Sequence, residues 1–105
     1  MSGVADEQLL ALREQVTETD RVLVEALNTR LRLVARIKRH KRETGLPFLD
    51  PDREAWLLAY LARANRGPLS SEGLERFVEV VLELTKDELA GQSMQNTAAT
   101  SAGSS

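Results

Sequence analysis

The sequence contains no cysteine and a single histidine. No disulfide frame and no thiolate chemistry are available to it. One imidazole, His40 in a basic run, supplies too little for a zinc site. The N-terminal stretch lacks the apolar segment of a secretory leader, and no apolar run reaches membrane-spanning length. These absences set the expectation of a soluble cytoplasmic protein with no membrane partner. Charge of one sign is also lacking. Fourteen cations face sixteen anions for a net charge of −2, a balance that does not suggest a nucleic-acid partner. No segment alternates with period two over a useful length, so strands are not expected.

What is present is helical periodicity. The stretch from Asp6 to Glu43 holds neither glycine nor proline. Its apolar residues Leu9, Leu12, Val16, Leu23, Leu27, Val34 and Ile37 recur mostly three or four apart. A helix of this length spans roughly 55 Å at 1.5 Å per residue. Gly45 after Thr44 is placed to cap it in a left-handed conformation. A second helix is expected from Pro51 to about Asn65, with Trp56, Leu57, Tyr60 and Leu61 on its core face. A third is expected from Ser70 or Ser71 to about Leu89, with Leu74, Phe77, Val81 and Leu84 on one stripe. Residues 1–6 and 90–105 are small, polar and aperiodic, so they are expected to lie outside the core as unstructured ends. About 80 residues then remain to form a core, which is marginal for a lone chain. The long first helix cannot bury its stripe within so small a body, so it must bend or meet a partner chain.

Several charges stand where apolar residues are expected. Leu23, Leu27, Arg30, Val34, Ile37 and Lys41 form one line on the first helix. Arg30 and Lys41 are three turns apart and nearly eclipsed. Snorkelling, with buried stems and hydrated heads, is the bland reading of both. Glu88 similarly continues the line Phe77, Val81, Leu84 on the third helix, unless that helix frays there into solvent. In a partly dry site its carboxyl group would favour the protonated, hydrogen-bond-donating form. Asp50 and Pro51 read as an N-cap and first helical residue, and Asp52 suits the positive end of the helix dipole. Arg53 and Glu54 are left unexplained by helix initiation. Arg13 lies roughly 25 Å before Arg30 on a straight helix, so if both serve one small site, Arg13 comes from a second chain. Arg30, Lys41 and Glu88, with Arg53, Glu54 and Arg13 in trans, would form a pocket for a small dianion. No catalytic triad, glycine-rich phosphate loop or metal cluster is visible.

Taken in order, "LLALREQV", the Arg30–Lys41 pair, "DPDRE" and an acid late in the third helix resemble the all-helical chorismate mutase family over roughly residues 7–89. The resemblance implies an all-α fold, three helices per chain with a very long first helix, wound into an intertwined homodimer. It implies rearrangement of chorismate to prephenate, a unimolecular [3,3] shift needing no cofactor and no metal, in aromatic amino acid biosynthesis. Restraint of a compact substrate conformer and stabilisation of charge on the ether oxygen would carry the catalysis. By the same resemblance, Arg30 and the partner chain's Arg13 would grip the two carboxylates. Lys41 would bridge a carboxylate and the ether oxygen. Glu88 would face that oxygen as a protonated donor, and Asp50, Arg53 and Glu54 would surround the C4 hydroxyl. The family often carries a serine one turn before the Gln/Glu position. Alignment on Phe77 puts Leu84 there, whereas a shift of one residue puts Thr85 there and Leu89 at the ether oxygen.

Other readings share the scaffold. A 4-amino-4-deoxychorismate mutase would exchange the C4 hydroxyl for an amine, which the carboxylates of Asp50, Asp52 and Glu54 would favour. An isochorismate-pyruvate lyase would eliminate instead. A weakly active regulatory module partnering an aromatic-pathway enzyme is a reading of another class. Nucleic-acid binding through the basic run at residues 30–42 lacks any recognition motif.

Overall fold

The computed structural model describes the backbone of residues 2–47 and 50–102, and the side chains of residues 6–47 and 50–91. Three helices follow in order: α1 over Ser2–Thr44, α2 over Pro51–Ala64 and α3 over Ser71–Ala102. No strand occurs among the described residues. The all-α, three-helix reading with an over-long first helix is therefore what the chain adopts. Two bounds differ from expectation. α1 starts before Asp6, and α3 continues beyond Leu89. No proline interrupts residues 90–102, so nothing in the backbone forbids that continuation. The expected unstructured ends at 1–6 and 90–105 fall almost wholly on side chains outside the described set.

The helix ends are set by local chemistry. Gly45, at φ +75°, follows the last turn of α1. Its left-handed backbone lets the Leu46 amide donate back to the Lys41 carbonyl at 2.8 Å, the long closing bond of a Schellman cap. Asp50 caps α2, its carboxylate accepting from the Arg53 amide at 3.1 Å, with Pro51 at the first helical position. Asn65 stops α2. Its amide donates to the Leu61 carbonyl, while its side chain donates to the Leu69 carbonyl at 2.8 Å and accepts from the Gly67 amide at 3.0 Å. Between the two candidate caps of α3, Ser70 takes the role: its hydroxyl accepts from the Gly73 amide at 3.0 Å.

The chain divides into two compact units, Met1–Arg32 and Leu33–Ser105. The first is the N-terminal length of α1. Its Leu9, Leu12, Val16 and Leu23 are all exposed, at spacings that keep them near one face. Arg21 holds Glu18 and Glu25 on the same helix, donating to both carboxylates. The Arg21 guanidinium holds the Glu18 carboxyl below the usual carboxylate range, and Glu18 in turn raises Arg21.

The second unit holds the end of α1 with α2 and α3, and α2 packs on α3. Its buried residues are Leu74, Val78, Thr85 and Leu89, a stripe at spacings near multiples of 3.6. This corrects the expected α3 stripe by one residue: Leu74 is buried as expected, but Phe77 is 49% and Leu84 38% exposed. The Thr85 hydroxyl satisfies itself in that dry stripe by donating to the Val81 carbonyl at 2.7 Å. Trp56 and Tyr60 are also corrected. Leu57 and Leu61 are half-buried, but the two aromatic rings are exposed and stack on each other, centroids 5.1 Å apart.

Two substitutions test this account by urea unfolding. Gly45→Ala forces a Cβ into the left-handed region and should cost about 1–2 kcal/mol, with no steric clash to add to it. Leu89→Ala should cost about 2–4 kcal/mol, because Leu89 is 2% exposed. An unchanged unfolding midpoint in either variant would show that the feature does not stabilise the fold. A third test is local. Arg21→Ala should raise the Glu18 carboxyl titration toward its ordinary value, read by NMR as pH is lowered.

Candidate active site

The half-buried positions of α1 are Leu27, Arg30, Leu31, Val34, Ala35, Lys38 and Lys41. They recur three or four apart, so one stripe of the helix carries them. Arg30 and Lys41 therefore do belong to a partly dry stripe, as their spacing predicts. Ile37, expected on the same line, is 49% exposed, and Lys38 takes its place. Lys38 was invisible to sequence reasoning because it sits in a run of cations, where its neighbours Arg36 and Arg39 face solvent.

In the first unit, burial pushes the Arg30 guanidinium below its usual value. Arginine stays protonated through such a shift. Arg13 is exposed, and the intervening length of α1 separates it from Arg30. The first unit does not bring these two arginines together.

In the second unit, Lys41 stands in the last turn of α1, where a cation suits the negative end of the helix dipole. The Asp50 carboxylate is occupied at the start of α2. Arg53 lays its guanidinium over the Trp56 ring at 4.3 Å, and that ring stacks on Tyr60. The arginine thus lies over that ring on the exposed side of α2. Glu54, half-buried, faces Lys86 of α3 across the helix pair, with 3.6 Å between the charged atoms. Lys86 was not singled out by the sequence. A pairing across two helices leaves no periodic signature in either one.

On α3, Glu88 and Leu84 lie outside the dry stripe, while Thr85 and Leu89 are buried at 5% and 2%. This chain by itself therefore does not provide the partly dry surroundings expected for Glu88. The first unit offers a half-buried guanidinium; the second, by itself, offers an ammonium, a guanidinium and a carboxylate. Such groups can bind carboxylates and orient a hydroxyl. They can also stabilise growing negative charge without a covalent step.

Comparison with known proteins identifies the family. The family model described as chorismate mutase type II matches residues 12–88. The bifunctional chorismate mutase/prephenate dehydratase of Pseudomonas aeruginosa is 32% identical over 81 residues, which cover 72% of this chain and 22% of that protein. The T-protein of Enterobacter agglomerans is 44% identical over 52 residues, half of this chain and 14% of that protein. The chain thus spans less than a quarter of the length of these curated relatives. A structure of the chorismate mutase (form II) of Thermus thermophilus superposes with a TM-score of 0.75 at 35% identity, covering 79% of this chain and 94% of that one. No described helix is long and apolar enough to cross a membrane. With a three-helix fold, cations on a half-buried stripe and a match across most of its length, the chain belongs to the chorismate mutase type II family.

Proposed function

We propose that this chain rearranges chorismate to prephenate as a cytoplasmic, intertwined homodimer, with residues 7–89 as the catalytic domain. Membership of the family and the half-buried position of Arg30 on α1 support this reading most directly. In the reaction the ether C–O bond breaks as a new C–C bond forms, with no proton or co-reactant consumed. The protein's task is to compress a dianion into its reactive chair and to meet the charge that grows on the ether oxygen.

Arg30 and the second copy's Arg13 would take the two carboxylates, each in bidentate fashion. Lys41 would reach both a carboxylate and the ether oxygen. Glu88 would approach that oxygen from the other side. Asp50, Arg53 and Glu54 would form the end of the site that receives the C4 hydroxyl, with Leu84 beside the carboxylate. A second copy fits the exposed row Leu9, Leu12, Val16 and Leu23, since an apolar row of that length calls for cover. It also resolves the separation between Arg13 and Arg30 along one helix.

Chorismate consumption by purified protein tests the reading. Arg30→Ala should lower kcat/KM by about 100-fold or more, because it removes an ionic contact to the substrate. Full activity in that variant would place the site elsewhere. Sharing between chains is tested by mixing inactive Arg13→Ala and Arg30→Ala proteins. After subunit exchange, about a quarter of wild-type activity should return, since half the dimers are hybrids with one intact site of two. No recovery despite demonstrated exchange would mean that each site is built within one chain. Glu88→Gln should retain or gain activity at basic pH, because an amide donates at every pH. A collapse of activity at all pH values would remove the donor role.

A further inference from the structure

We propose that Lys86 sets the preference of this site for a neutral hydroxyl over an ammonium group at C4 of the substrate ring. The inference rests on the reading above, in which Glu54 receives the C4 substituent. On sequence alone, the carboxylates of Asp50, Asp52 and Glu54 favour the amine. The structure changes that balance. The Asp50 carboxylate accepts from the Arg53 amide as the cap of α2. Glu54 faces Lys86, whose ammonium nitrogen lies 3.6 Å from its Oε1. Two of the three acids are thus already engaged by donors or positive charge.

The 3.6 Å separation matters in a second way. It is an ion contact at longer than hydrogen-bond distance, so the Glu54 oxygens keep lone pairs for a substrate hydroxyl. A group hydrogen-bonded to Glu54 would then sit on the order of 5–6 Å from the Lys86 nitrogen. A hydroxyl is indifferent to a cation at that distance. An ammonium is repelled, by an amount equal to roughly 3-fold in affinity if the gap is water-like and roughly 100-fold if it is partly dry. Lys86 is half in solvent, with 51% of its side chain exposed, so the pair adds little to stability. Its charge acts on the choice of substrate rather than on the fold.

The test measures kcat/KM for chorismate and for 4-amino-4-deoxychorismate in the wild type and in Lys86→Arg, Lys86→Met and Lys86→Glu. The exposed position should accept all three without unfolding. The wild type and Lys86→Arg should prefer chorismate. Lys86→Met should shift the ratio toward the amine by about 3-fold or more, and Lys86→Glu should shift it further in the same direction. A ratio that stays constant across the charge series, with both substrates turned over, overturns the role of Lys86 while leaving the mutase reading intact. So does a wild type that prefers the amine. Folded wild-type protein that consumes neither substrate overturns the mutase reading, and this inference with it.

Discussion

The constraint that sets α1 apart is positive charge placed where water is partly excluded. Arg30 sits on the half-buried stripe of α1 with its guanidinium partly desolvated. Folding alone gains little from such a placement, since an apolar residue there would fill the space as well without the desolvation cost. In the second unit Lys38 and Lys41 are half-buried, and Arg53, itself exposed, lies over the Trp56 ring.

Scarcity of core is the companion constraint. Leu74, Val78 and Leu89 are the buried apolar residues described, while α1 carries a row of exposed leucines and valines. A chain so built relies on backbone hydrogen bonding and on local caps such as Gly45, with little help from a dense interior.

Much of this was legible in the sequence for reasons that can be named. The great length of α1 followed from an uninterrupted periodic pattern, and the starts of α2 and α3 from Asp50–Pro51 and the Ser70–Ser71 pair, where capping chemistry is local. Arg30 and Lys41 stood out because they break an apolar line. What escaped was settled between elements. Both Phe77–Leu84–Glu88 and Leu74–Val78–Thr85–Leu89 are plausible helical lines, and which one turns inward depends on where α2 lies. Trp56 and Tyr60 looked like core, yet four-residue spacing also lets two rings satisfy each other on the surface. The facing of Glu54 and Lys86 is of the same kind, a product of packing that neither helix records by itself.

The stack on α2 has an optical consequence. The chain has a single tryptophan, with the Arg53 guanidinium over one face and Tyr60 alongside. Any event that draws Arg53 away uncovers the indole and alters its emission. The protein thus carries a native fluorophore at the opening of α2, needing no label to report how that guanidinium is engaged.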